Sequence, residues 1–261
     1  GRNTSVGYRS MFATTTGSYN TALGYQALDA NTTGNLNVAI GYGVMPNSTT
    51  ATNNTGAGYD ALDQLTTANN NTAYGYQSLA LVTTGGNNTA IGYQAGPGAG
   101  GGANTNATAV GYQALVANTT ASQNTAVGYQ AGYSKSTGSA VTAFGFNAGY
   151  SYTASGENWL STFIGYQAGL YASTGIDNTF VGGFAGSATT TGGANTAMGG
   201  GALTANTTGA NNTAIGTIAL RYNTNASNNT AVGYQALYTK DRKSTRLNSS
   251  HTDISRMPSS A

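Results

Sequence analysis

A glycine that returns in register constrains this chain more than any other feature. Aligned on the string Asn-Thr-Ala-(Val/Ile)-Gly-Tyr-Gln-Ala-Leu, fourteen copies run from Gly7 and Gly24 to Gly216 and Gly233. Successive glycines lie 17 residues apart, except for 19 between Gly92 and Gly111 and 20 between Gly145 and Gly165. A short fixed period belongs to solenoids and arrays, whose units are too thin to bury their own apolar residues and lean on the units above and below.

The columns give each position a task. The residue before the glycine is apolar in every copy, from Val6, Leu23 and Ile40 to Ile215 and Val232. Two positions earlier stands Thr in thirteen copies, with Val38 the exception, and one further back is usually Asn, as in Asn20, Asn37, Asn54 and Asn71. Tyr follows the glycine in ten copies, and a small residue such as Ala27, Ala61 or Ala95 lies three after it. Units rich in Gly, Asn and Thr have weak helix propensity and show no sustained 3.6-residue period. Thr, Val/Ile and Tyr instead alternate with period two across the glycine, while Gly and Asn fall where turns or bulges need them.

The pattern predicts an all-β parallel solenoid or β-roll of about fourteen coils, each holding two short strands and two turns. At about 4.8 Å per coil the rod is roughly 65 Å long. Val/Ile, Thr and Asn then stack as ladders, the Val/Ile column inside and the Asn amides satisfying turn backbone. A disordered chain of the same composition gives no reason for an unbroken apolar column.

Composition argues against an enzyme. The chain has no Cys, one His, nine basic and seven acidic residues. Catalytic acids, bases and metal ligands come mostly from residue types that are scarce and scattered here, so no catalytic residue, cofactor or metal is expected. Asp60 and Asp63 are isolated rather than part of a calcium-binding repeat. The run Pro97 to Gly102 lacks the Gly-Lys-Ser/Thr of a phosphate loop and reads as an insertion. The Asn-x-Thr sequons read as a by-product of turn chemistry.

The net charge of +2 does not indicate nucleic acid as a partner, because it lies wholly in residues 241–261, DRKSTRLNSSHTDISRMPSSA, and residues 1–240 balance. Back-translated, Asp241 to His251 matches one reading frame of a common sequencing adaptor, and Ile254 to Ala261 resembles its continuation. The expectation is a repeat domain over 1–240 and a disordered, adaptor-derived tail over 241–261, with both natural ends missing, as in a metagenomic fragment.

At its columns the sequence resembles the head repeats of trimeric autotransporter adhesins and the repeat shafts of bacteriophage tail fibres. The likeness is carried by Ala22-Leu23-Gly24-Tyr25-Gln26-Ala27 with Gly34, by Ala90-Ile91-Gly92-Tyr93-Gln94-Ala95, and by Ala126-Val127-Gly128-Tyr129-Gln130-Ala131 and Ala231-Val232-Gly233-Tyr234-Gln235-Ala236. It covers residues 1–240 with about three extra residues per coil. The resemblance implies homotrimers of left-handed parallel β-rolls, rigid and extracellular, on a virion or a bacterial cell surface, with a host surface glycan or protein as partner and no membrane contact within this segment. A self-cleaving chaperone domain often follows such repeats in phage fibres.

The residues themselves support self-association less directly. Beside the Ala column runs a second apolar one, Leu28, Leu62, Leu79, Leu115, Leu203, Leu220 and Leu237. A stripe of Ala, Leu and Tyr along a rod is a long apolar patch unless another chain covers it. The other reading is a monomeric roll with a surface ladder of Tyr and an interior filled by Leu.

Binding residues are sought where the repeat loosens. Between Gly145 and Gly165 stand Tyr150, Tyr152 and the single Trp, Trp159, on an insertion of the kind carbohydrate recognition uses, or one that packs its own Trp on the roll. The copies at Gly182, Gly199 and Gly216 replace the Tyr with Gly183, Gly200 and Thr217. The leading functional expectation is a structural repeat segment of a fibre or adhesin supporting attachment. The alternative is an ice-binding or ordered-surface-binding solenoid, since a nearly complete Thr column can match a lattice, although bulky Tyr and Asn stand beside these threonines.

Overall fold

The computed structural model describes residues 1–96, 104–119, 121–134, 140–154 and 160–238. The expected tail, with His251, and the residues Glu157 and Trp159 lie outside the described residues. Fourteen strands, numbered in chain order from β1 (Thr4–Val6) to β14 (Thr230–Val232), form one parallel sheet in which each strand pairs with its neighbours in sequence. Among the described residues there is no helix. Thr21 lies opposite Val38, Ala22 opposite Ala39 and Leu23 opposite Ile40. The longer spacings do not disturb this register: Thr89 lies opposite Thr108, and Val141 in β9 (Val141–Phe144) lies opposite Ser161 in β10 (Ser161–Ile164). The fold is a parallel β-solenoid with coils of about 17 residues.

Each coil carries one short strand, where two were expected. The rest of the coil is also bonded from coil to coil: the Leu28 amide donates to the Val44 carbonyl at 3.0 Å and the Thr32 amide to the Thr49 carbonyl at 2.9 Å. Left-handed residues interrupt it, with φ of 54° at Gln26, 53° at Leu28 and 58° at Leu36. Such a residue costs about 1–2 kcal/mol outside glycine, and it persists where surrounding bonds fix the backbone. These residues curl the chain back on itself where a second strand would have run straight.

The Val/Ile column, expected inside, lies outside, and the Leu column lies inside, as the reading with a Leu-filled interior has it. In the three-residue strands after β1 the middle residue points inward and its neighbours outward, so Ala22, Ala39, Ala73 and Ala90 are buried while Leu23, Ile40 and Ile91 are 43–48% exposed. Leu28, Leu62, Leu79, Leu115 and Leu203 are fully buried and fill the chain's own interior, so they add nothing to an outer stripe. The interior is narrow. A methyl added at Gly56, in the inner strand position, would press on Val44, Leu62 and Met45 from the facing turn. Only a small strand residue leaves room for Leu or Met opposite.

In two coils the large residue changes sides. In β10 and β11 (Thr179–Val181) the inner residues are Phe163 and Phe180, and the facing Leu position becomes Gly169 and Gly186. A Cβ at Gly169 would enter the Phe163 ring, and one at Gly186 the Phe180 ring. In these two coils large and small trade sides; Gly96, Gly132 and Gly149 also hold the Leu position, facing Ala90, Ala126 and Ala143, and there Leu79, Leu115 and Phe163 of neighbouring coils close over them.

The recurrent glycine and asparagine lock coil to coil. Gly24 has φ of 140°, and a Cβ there would collide with the Gly41 carbonyl of the next coil, which excludes any side chain. The Asn column forms a buried amide ladder. The Asn37 backbone N–H and Nδ2 donate to Asn20 Oδ1 at 2.9 and 3.1 Å, Nδ2 also donates to the Ala51 carbonyl at 2.7 Å, and Oδ1 accepts from Asn54. A buried amide left unpaired costs about 1–3 kcal/mol, so the ladder holds only while it is in register. Where Ala107, Val141 and Ser161 replace Asn, the backbone half persists: the Ala107 and Val141 amides still donate to Asn88 and Asn124 at 3.0 Å, and the Asn178 amide donates to Ser161 Oγ at 3.2 Å.

The volume exchange makes a coupled prediction. Phe180→Ala alone lowers stability by about 3–5 kcal/mol through the cavity it leaves. Adding Gly186→Leu gives the Ala and Leu pairing of coils such as Ala197 with Leu203 and recovers a large part of the loss, because the leucines at that position already sit at φ near the 56° of Gly186. Denaturant unfolding of the two variants checks this; a double variant no more stable than Phe180→Ala alone would contradict the exchange.

Candidate functional site

Three side-chain ladders form the outer face, and each follows from one column. On the strand, the Thr and the aliphatic residue two positions later both point out, one coil above the next. After the corner glycine the tyrosines stack. From Tyr8 to Tyr129 consecutive rings have centroids 4.9–5.3 Å apart and planes within 4–17° of parallel, and Phe146 and Tyr166 continue the column at 5.0 and 5.2 Å. The stack ends at Phe184, which meets Tyr166 edge-on. Beyond it Gly183, Gly200 and Thr217 hold the position.

Next to the rings, glutamines bond in one direction. Gln130 Nε2 donates to Gln113 Oε1 at 2.9 Å, Gln113 to Gln94 at 2.9 Å and Gln94 to Gln77 at 3.1 Å. One coil before Gln77 the position holds Asp60, whose charged form the Gln77 amide favours. An open recess of about 200 Å³ lies there, lined by Asp60, Asp63, Gln77, Gln94, Ala80, Leu81 and Val116. Partial burial, and then the Asp63 carboxylate, raise the Asp60 pKa above its ordinary 3.8 against the opposing bond from Gln77. The Asp60 charge in turn raises the Tyr59 phenol above 10.0, with smaller contributions from burial and from Tyr42 and Tyr76.

Two kinds of threonine occur, with different chemistry. In the turns, Thr15, Thr32, Thr49 and Thr66 each donate the hydroxyl to the threonine carbonyl one coil on, at 3.0–3.4 Å. The strand threonines such as Thr21, Thr55, Thr72 and Thr89 are half-exposed, and their hydroxyls make no hydrogen bond to another described residue. Their hydroxyls are available to water or to an external surface.

The residues expected to bind are not gathered into one exposed cluster. Tyr150 is half-buried and stacks on Tyr133 at 4.9 Å and 10°. Tyr152 turns into the core: it is fully buried, edge-on to Phe163, and accepts a hydrogen bond from Ser161 Oγ at 3.2 Å. Burial raises the Tyr152 pKa above 10.0 against that bond. Trp159 lies outside the described residues. Sequence reasoning missed the directional Gln run, although the uniform Tyr-Gln pair was its signal.

Among the described residues no three His, Cys, Asp or Glu side chains group as metal ligands, and no helix is long and apolar enough to cross a membrane. Compared with family models, curated proteins and solved structures, the chain gives no match.

The raised Asp60 pKa has a definite sign in stability. The folded chain holds this proton to higher pH than the unfolded chain, so ionised Asp60 subtracts stability, and the loss develops as pH rises from 3.8 through the raised value. Asp60→Gln keeps an acceptor for Gln77 and removes the charge. The variant is expected to melt at a higher temperature than the parent at neutral pH and to lose that advantage below pH 3.8. Equal melting at both pH values would contradict the assignment.

Proposed function

We propose that this chain is a structural repeat segment of an extracellular fibre or adhesin, carried on a virion or a bacterial surface, in which copies assemble as a parallel homotrimer of left-handed β-rolls. The observation that supports this reading most is the row of large apolar side chains left outside the strands, among them Val6 at 57%, Met198 at 44% and Val232 at 46% exposed. Ten of the fourteen strands expose a large apolar side chain there, and half-buried Ala57, Val110, Val127 and Val181 hold the position in the rest, making an apolar stripe of the kind that soluble monomers rarely leave open. A second and third copy would cover it. The resemblance of the repeat to trimeric adhesin heads and tail-fibre shafts points the same way. Mechanically, each coil adds about the same interface, so copy number sets the rod's length and stiffness. Attachment to a host glycan or protein is then a task of the segments such a rod carries, and no step of chemistry is asked of it.

A second reading rests on the unbonded strand threonines. Their hydroxyls and the aliphatic rows form a regularly repeated face of the kind that can order water or meet a crystal lattice.

Both readings are measurable on the same protein. Light scattering and sedimentation are expected to give three chains per particle, and Ile91→Lys together with Ile215→Glu is expected to give a folded single chain, because both side chains are exposed within one chain. A parent protein that stays monomeric at high concentration would overturn the trimer. Thermal hysteresis is expected to be absent; if it appears and is lost on Thr72→Lys, the ordered-surface reading replaces the fibre.

A further inference from the structure

We propose that the tyrosine column is a site of oxidative cross-linking, in which a haem peroxidase and hydrogen peroxide join tyrosines of consecutive coils into dityrosine staples within one chain. From Tyr8 to Tyr129 every coil contributes a tyrosine, and each ring lies nearly parallel to the next at 4.9–5.3 Å. Because the rings hang from equivalent positions of coils in register, equivalent carbons face each other, the carbons ortho to the hydroxyl included. Each ring is 40–67% exposed, within reach of a small oxidant. The chain has no Cys and one Trp, the side chains that would otherwise take up a tyrosyl radical.

The chemistry balances with the peroxide as oxidant. Each of two phenols gives up one electron and its hydroxyl proton, and the two phenoxyl radicals form a carbon–carbon bond between ortho carbons. Each coupled carbon then passes its hydrogen back to oxygen, restoring both hydroxyls. The two electrons and two protons reduce one hydrogen peroxide to two waters. Radicals held on adjacent coils meet without diffusion, the advantage that fixed proximity gives any two-partner reaction. The staple forms within a chain, so it stands apart from whether copies assemble.

The interruption at Phe146 sets the boundary. Phe146 has no hydroxyl to lose, and Tyr166 lies between Phe146 and Phe184, with no tyrosine to couple to. Tyr133 and Tyr150 form a separate stacked pair at 4.9 Å and are a second site. Tyr19 and Tyr171 are exposed and have no stacked ring partner, which makes them internal controls.

The test treats the full chain, at low protein concentration, with peroxidase and hydrogen peroxide, and maps the products by dityrosine fluorescence and peptide mass spectrometry. The expected result is bonds between tyrosines one coil apart from Tyr8 to Tyr129 and between Tyr133 and Tyr150, each with the loss of two hydrogens, in a yield independent of protein concentration. Phe146→Tyr is expected to add bonds from that position to Tyr129 and Tyr166. Tyr76→Phe is expected to remove the bonds to Tyr59 and Tyr93 alone. Circular dichroism of the untreated variants, both altered at exposed positions by one hydroxyl, should match the parent. Bonds mainly between chains, equal reaction at Tyr19 and Tyr171, or no bond in the column would each overturn the proposal.

Discussion

Buried amide hydrogen bonds passing from coil to coil are the interaction on which the rest of the solenoid depends. An interior of alanine and leucine supplies apolar burial but little that distinguishes one register from the next. The Asn ladder supplies that distinction. Asn71, for example, donates to Asn54 and to the Gly85 carbonyl and accepts both N–H groups of Asn88. A slip of one residue would leave those groups unpaired inside the roll, at a cost per group comparable to a sizeable fraction of a domain's net stability. The corner glycine acts with it by allowing successive backbones to approach where no Cβ fits.

Most of the fold was legible in the sequence because a solenoid writes its architecture as a period. The 17-residue spacing, the parallel sheet and the turn role of Asn all follow from columns that can be read without knowing the structure. The facing of the strand was not legible. Alternation in Thr-Ala-Ile shows that Ala lies on the face opposite to Thr and Ile, but it does not say which face is inside. General expectation places the larger aliphatic residue in the core. Here the core is too narrow for two large rows, and Leu28 and its counterparts, arriving from the opposite wall, occupy the space. The single strand per coil was hidden for a related reason: left-handed Gln26, Leu28 and Leu36 are residue types that rarely signal such a backbone.

The candidate face was legible in part. The Tyr column and the Thr column were visible as columns, and one reading already had the Tyr rings as a surface ladder, yet the one-way bonding of Gln77 through Gln130 and the contrast between bonded and unbonded threonines depend on where each column falls around the coil. Tyr152 shows the limit of reading composition locally. An aromatic on a lengthened segment looks like a binding residue, and the coil instead uses it to fill the space where Ser161 replaces the larger Asn. The aromatic core there, with Phe163 and Phe180, is a local solution to the same volume constraint that Leu and Ala meet elsewhere.

The strand register through the longer repeats has its own consequence. Thr89 still meets Thr108 across 19 residues, and Thr142 meets Thr162 across 20, with the strand pairing continuing as if nothing had been added. Growth of the chain at such a point leaves the axial pitch untouched. Ornament and span are therefore inherited separately: duplication of a repeat lengthens the mast, and insertion within one changes what is hoisted at that height.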